Sequence, residues 1–253
     1  MKNRKPITRR RALIGGMAAI GGGLGLSRLE LTLPPTYDHL LRMGDAFTYG
    51  VHRVLLSGKA LAREYPRSYI SSFPATGTLD PANPSGANPS EAYGKIKQNN
   101  FPEWRLSVEG AVGNPSTFSL KELKAFPSRV QITKHICGEG WSAIGEWTGT
   151  QLAQILSAVE ILPKARFVQF FTYDGWADGL DLLDTFHPQT LLAYGMNGKN
   201  LPIRHGAPVR LRVETQLGYK SLKFLERIVI TEEFDDHGKA GSIQNGWAWY
   251  AGI

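Results

Sequence analysis

Residues 134–156 read KHICGEGWSAIGEWTGTQLAQIL, and within them stands Cys137, the one cysteine of the 253-residue chain. With no second thiol, a disulfide within the chain is impossible. Covalent c-type haem, which needs a C-x-x-C-H pair, and thiolate iron-sulfur clusters, which need several cysteines, are excluded with it. His135 and Cys137 are two residues apart, so on an extended backbone both side chains share one face. Zinc is disfavoured, because its sites draw on several protein ligands and the chain has no H-x-x-x-H, H-E-x-x-H or C-x-x-C. A cysteine hydrolase would need an asparagine or aspartate motif to orient the histidine, and none is evident. An inert buried cysteine beside a satisfied histidine stays open on the local residues alone.

Working outward, Val130 to Ile136 reads as a strand that ends just before Cys137, and Gly149 to Val159 as a helix closed by Pro163. Cys137 is thus expected on a loop between a strand and a helix. Trp104 to Gly110 alternates like a half-buried strand, and Ser119-Leu120-Lys121-Glu122 has the form of a capping box. Arg166 to Thr172, Val209 to Val213 and Arg227 to Thr231 predict further strands, and Asn197-Gly198 predicts a two-residue hairpin turn. Asp174, Asp178, Asp181 and Asp184 read as turn and cap residues first. The closing GWAWYAGI is an aromatic tail expected to pack near a site entrance or a neighbour.

Upstream, Asp38 to Ala62 carries apolar residues at mostly helical spacings, predicting one or two amphipathic helices. Ser71 to Asn100 is rich in Pro, Ser, Ala, Gly and Asn and predicts a long irregular loop that wraps a site. No fixed-period repeat, heptad pattern or glycine-rich phosphate loop occurs, which removes Rossmann and kinase readings.

The amino end is basic and then apolar. Its run from Ala12 to Leu26 falls short of the roughly 20 residues of a spanning helix, and Thr8-Arg9-Arg10-Arg11-Ala12-Leu13 resembles a twin-arginine export signal. Residues 1–28 are therefore read as a targeting segment, cleaved or retained as an anchor, and the protein as periplasmic. That stretch holds Lys2, Arg4, Lys5, Arg9, Arg10, Arg11 and Arg28 with no acid, so the formal charge of +7 drops to zero without it. A broad basic surface for nucleic acid is not supported beyond the segment. Residues 29–70 are expected as a helical extension and 71–253 as one domain with its own core. Because the twin-arginine route carries folded proteins, a cofactor inserted before export is a prior expectation.

The quoted stretch resembles the cysteine segment of the sulfite-oxidase-type molybdopterin enzymes, most closely the exported branch that includes the periplasmic methionine sulfoxide reductases. There a cysteine is followed by an acidic residue, a tryptophan with serine, then W-x-G, matched by Cys137, Glu139, Trp141, Ser142, Trp147 and Gly149. Downstream, VQFFTYDG supplies Thr172 where that family has a pterin-touching threonine. LPIRHGAPVRLRVETQLGYKSLKFLERIVIT resembles its second signature, with His205, Arg210 and the Ser221-Leu222-Lys223 turn at matching positions. The likeness runs from about Trp104 to Thr231.

The resemblance implies a mixed α+β, sulfite-oxidase molybdopterin-binding fold carrying one Mo-molybdopterin. Cys137 would be the metal ligand, since a soft thiolate suits molybdenum. Thr172, His205, Arg210, Ser221, Leu222 and Lys223 would bind the cofactor, the cations neutralising its phosphate. Trp141 and Trp147 would wall the metal pocket or pack in the core. It also implies two-electron oxygen-atom transfer, with an S-oxide or N-oxide reduced by electrons from a membrane haem partner. Two other readings fit the same residues: a dehydrogenase of the same family, and a non-catalytic subunit of a membrane complex that has lost the metal. Three departures mark the chain. Gly140-Trp141-Ser142-Ala143 lacks the arginine with which sulfite oxidases hold their anion, which disfavours sulfite. His205 stands where the sulfoxide reductases have asparagine and the sulfite oxidases histidine. Upstream, the pterin-contacting segment has no clean match, and Phe73-Pro74-Ala75-Thr76-Gly77 is the candidate to replace it.

Overall fold

Two five-stranded sheets carry the molecule, seen in a computed structural model that describes residues 40–56, 60–234 and 246–253. Residues 1–28, read from sequence as a targeting segment, lie outside the described residues. The first sheet has the order β2-β1-β10-β5-β6, built from Ser116–Ser119, Arg105–Gly110, Leu225–Thr231, Phe167–Thr172 and Ala177–Asp181. Only β1 and β10 run parallel within it, joining distant parts of the chain. The second sheet has β3 (Ser128–Ile136), β4 (Ser142–Gln151), β7 (Leu191–Met196) and β8 (Lys199–Asn200) in that order, with β9 (Arg210–Arg212) also paired to β7.

Between the elements sits one apolar core fed by both sheets: Leu106 and Val108 of β1, Val168 and Phe170 of β5, Ile228 and Ile230 of β10, Leu192 of β7 and Leu211 of β9. Helix α4 (Leu152–Ala158) adds Leu152, Ile155 and Leu156 at helical spacing, and α3 (Leu120–Ala125) adds Leu123. The expected capping box opens α3, with Ser119 Oγ accepting from Glu122 N while Ser119 N donates to the Glu122 carboxylate. The Asn197-Gly198 hairpin is present with both residues at positive φ, as a two-residue turn of the I′ kind requires.

Several expectations are corrected, among them the helical reading of residues 29–70. The helix expected from Gly149 starts only at Leu152; Ser142–Gln151 is β4, with β3 on one side and β7 on the other. Its burial at successive positions, Gly145 to Trp147 and Gly149 to Thr150, and its Trp147, Thr148 and Thr150 suit a central strand, and the sheet overrides the helical spacing of the residues that follow. Cys137 therefore lies in the hairpin turn between two strands, where Cys137 N donates to Trp141 O (2.9 Å) and Gly140 N to Cys137 O (3.1 Å).

The upstream helix α1 spans Leu40–Leu55 and ends there. Beyond the undescribed residues 57–59 the chain is extended: Glu64 bridges to Thr133, Tyr65 N donates to Ile132 O, and Ser71 N to Ile144 O. The long loop holds a helix of its own, α2 (Glu91–Lys97), capped by Ser90 and anchored by fully buried Tyr93, whose hydroxyl donates to Ala207 O (2.7 Å). The aspartates serve in part as read: Asp174 lies in a turn and Asp181 caps a helix, whereas Asp178 and Asp184 form buried ion pairs. Asp181 caps α5 (Leu182–Thr185), Asp178 pairs with buried Lys220 (2.5 Å), and Asp181 and Asp184 together receive Arg53 of α1. None of the described helices is long and apolar enough to cross a membrane.

Candidate active site

The strand ends and turns of both sheets meet around a cavity of about 200 Å³. The β3–β4 turn contributes Cys137, Gly138, Glu139 and Trp141, and the end of β3 contributes His135. The segment Phe73–Thr78 crosses one wall. The stretch around β9 supplies Arg204, His205 and Arg210, and the turn before β10 supplies Gly218, Tyr219, Ser221, Leu222 and Lys223. Asp174, Trp176 and Trp247 of the aromatic tail complete the lining.

Six of the seven residues singled out from sequence thus share one cavity: Cys137, His205, Arg210, Ser221, Leu222 and Lys223. Thr172 is buried just behind it. Its hydroxyl donates to Asp174 (2.6 Å), and Asp174 reaches the lining in its place. Phe73 sits at the centre of the aromatic wall, with ring centroids 5.1 Å from His135, 5.6 Å from His205, 5.8 Å from Trp141 and 5.4 Å from Trp147. Trp141 lines the cavity, whereas Trp147 is fully buried behind it, its ring 4.3 Å from the Arg212 guanidinium.

Electrostatically the cavity is cationic and short of acid. Arg210 is buried, and its guanidinium donates to the carbonyls of His205 (3.0 Å) and Ser221 (2.7 Å), with no carboxylate partner among the described residues. Burial, with Arg212 nearby, lowers its pKa to about 9, Glu214 opposing. Lys223 donates to the carbonyls of Thr76, Thr78 and Arg204; burial and then Arg210 lower its pKa to about 8, with Asp174 opposing. His205 is pushed down to about 4 by burial and by Arg210, Lys223 and Arg204, so it is neutral at pH 7. Asp174 is raised by burial, against hydrogen bonds from Thr172 and Thr78 and the charge of Lys223.

Charges desolvated this way are costly unless an anion compensates them. The Ser221 hydroxyl accepts from Val213 N (3.1 Å) and keeps its own proton to donate. The donor set is therefore one soft thiol, a buried arginine and a half-buried lysine with no carboxylate hydrogen-bonded to either among the described residues, and a serine, with neutral imidazoles between. This fits a soft metal on an organic ligand that ends in a phosphate dianion. Among the described residues no group of three or more His, Cys, Asp and Glu side chains could hold a metal by itself, so the protein would add the single thiolate to a metal carried by its own ligand.

A further residue of the site, Arg212, is signalled in the sequence only by its spacing. Arg210, Arg212 and Glu214 alternate and share one face of β9 and its continuation. Arg212 is paired to Glu214 through two contacts (3.1 and 2.7 Å) and also reaches His135.

The model of the oxidoreductase molybdopterin-binding domain matches residues 93–238. A chain of Azospira oryzae named as a protein-methionine-sulfoxide reductase subunit, YedZ1, is 31% identical over 243 residues, covering 96% of this chain and 87% of that one. The protein-methionine-sulfoxide reductase catalytic subunit MsrP of Ralstonia nicotianae is 28% identical over 269 residues, covering 88% of this chain and 78% of that protein. Among solved structures, the sulfane dehydrogenase SoxCD of Paracoccus pantotrophus superposes with a TM-score of 0.50 at 21% identity, over 52% of this chain and 39% of that one. That likeness is one of fold.

Proposed function

From the premise that the chain belongs to the oxidoreductases with a molybdopterin-binding domain, we propose that it reduces a sulfoxide to a thioether outside the cytoplasm. The observation that carries this reading is the cavity itself, whose lining joins the half-buried Cys137 thiol, buried Arg210 and half-buried Lys223 with an aromatic wall. The names of the two relatives, one a subunit and the other the catalytic subunit of a protein-methionine-sulfoxide reductase, favour the same substrate class.

When bound, the molybdenum-pterin group supplies two-electron oxygen-atom transfer. We assign Cys137 as its thiolate ligand. Arg210, Lys223 and Ser221 would hold the phosphate through charge-assisted hydrogen bonds. His205, Leu222 and Thr172, the last through Asp174, would fix the pterin. On the substrate side, the turn after Cys137 offers Gly140, Trp141 and Ser142 and no cation, which suits a neutral sulfoxide better than sulfite. Aromatic rings such as Trp141 and Phe73 favour sulfur contacts at ~0.3–1.5 kcal/mol each. Sulfoxide reduction consumes two electrons and two protons and releases the oxygen as water. Electrons would come from a membrane haem protein, and residues 1–28 would direct the chain to the periplasm through the twin-arginine route.

Elemental analysis of protein from a molybdenum-competent host should give about one molybdenum per chain. A reduced viologen dye should be oxidised on adding methionine sulfoxide. Protein that carries molybdenum yet oxidises the dye with no sulfoxide would overturn the substrate class, and protein without molybdenum would overturn the enzymatic reading.

A further inference from the structure

His135 ends β3 two residues before Cys137, and both line the cavity. Its Nδ1 lies 2.8 Å from an amino nitrogen of Arg212. A guanidinium donates and never accepts, so Nδ1 must be the acceptor in this pair and the ring proton must sit on Nε2. Arg212 cannot turn away: it is 1% exposed, held twice by Glu214 and stacked on Trp147. Glu214 is itself fixed by Gln131 (3.0 Å). A second proton on the imidazole would set N–H against N–H.

Nε2, on the other edge of the ring, has no hydrogen-bond partner among the described residues. Gly218 packs against that edge, where a Cβ would lie 2.3 Å from Nε2 and 2.2 Å from Cε1, so only a glycine lets the ring sit there, and both residues line the cavity. Phe73 (5.1 Å) and Trp141 (5.3 Å) flank the ring and keep it from swinging out. The chain thus fixes the Nε2–H tautomer of a ring that lines the same cavity as Cys137, through a relay from Gln131 to Glu214 to Arg212.

We propose that His135 is a fixed hydrogen-bond donor to the sulfoxide oxygen of the substrate, with Arg212 as its positioning residue. The inference rests on the sulfoxide-reductase reading above. A sulfoxide oxygen is a strong acceptor, and negative charge grows on it as the S–O bond breaks, so a preorganised donor is worth more in the transition state than in the ground state.

The test uses the oxidised, molybdenum-loaded protein with His135→Phe, which keeps a flat ring and removes the donor, and His135→Gln, whose amide can accept from Arg212 and still donate. Phe should retain molybdenum and lower kcat/KM for methionine sulfoxide by roughly 10²–10³-fold, and Gln should recover at least tenfold of that loss. Nitrogen-15 NMR of the histidine side chains in wild type should show the Nε2–H tautomer at His135, and Arg212→Met should abolish that preference. An Nδ1–H ring in wild type, or full activity in a well-folded Phe variant, overturns the proposal. Loss of molybdenum from that variant overturns it too, by making the donor a cofactor contact. Failure of the parent reading looks different, because wild-type protein then reduces no sulfoxide while the tautomer measurement still reports on His135.

Discussion

The guanidinium of Arg210 lies 5.2 Å from the ring centre of Trp147 and, although buried, meets no carboxylate among the described residues. Its neighbour Arg212 is paired with Glu214, so two adjacent arginines on one strand face have opposite electrostatic fates. An unpaired buried cation destabilises the chain alone and stabilises a complex with an anion. Arg210→Met removes that desolvated charge but also leaves the His205 and Ser221 carbonyls without their donor. These offset, so the cofactor-free protein should change by no more than about 1–3 kcal/mol, while cofactor retention falls by at least about tenfold, the effect of ~1.4 kcal/mol. Thermal melts of cofactor-free protein and molybdenum content after gel filtration separate the two effects. A variant that loses stability and keeps its cofactor would show Arg210 to be a packing residue.

Cys137→Ser tests the ligand assignment. The thiol sits half-buried in a turn whose hydrogen bonds are made by backbone atoms, so a hydroxyl should fit with a change of less than about 1 kcal/mol. The melting temperature of the cofactor-free protein should stay within a few degrees of wild type, while sulfoxide-dependent dye oxidation is lost. Retained activity would reject Cys137 as the metal ligand.

The residues legible in sequence were those whose signals are local. The capping box at Ser119, the Asn197-Gly198 turn and the strands ending at Ile136 and Thr172 depend on neighbours a few positions away. What escaped was set at long range. Ser142–Gln151 is a strand because β3 and β7 hydrogen-bond to both its edges, and α2 forms inside a loop-like composition because Tyr93 finds Ala207 114 positions away. In the site, alternation could have put Arg210 and Arg212 on one face. Nothing local says that one would meet His135 and the other the carbonyls of His205 and Ser221 at the cavity wall.

The anchor of α1 makes a stability prediction. Arg53 reaches Asp181 (2.8 Å) and Asp184 (2.6 Å) while its guanidinium lies 4.9 Å from the ring centres of Tyr49 and Tyr250. Arg53→Met leaves two buried carboxylates facing each other and should cost about 3–5 kcal/mol, a fall in melting temperature on the order of 10 °C. Asp181 is already raised above its ordinary value by burial and by Asp184, with Arg53 opposing. Without Arg53 it rises further, so the folded state binds a proton that the unfolded state releases. The deficit should then be smaller at pH 5 than at pH 7, and an equal deficit at both would argue against the paired-charge account.

His205 carries the last prediction, through pH. Its pKa is lowered from 6.5 to about 4 by burial first and then by Arg210, Lys223 and Arg204. Between those values the unfolded chain binds a proton that the folded chain refuses, so this residue's contribution to stability is lost as pH falls from about 6.5 to about 4. The slope is at most about 1.4 kcal/mol per pH unit. Asp174 and Asp181 act in the opposite sense, because their raised values let the folded state take up protons first. The clean measurement is thus a difference: denaturant melts of cofactor-free wild type and His205→Asn, which removes the titrating group, at pH 7, 5.5 and 4.5. Asn should gain on wild type as the pH falls, and two curves that stay parallel would remove His205 from the acid response. An anion bound beside Arg210 and Lys223 would cancel part of the repulsion that depresses the imidazole, so the gap between the two proteins should narrow once the cofactor is loaded.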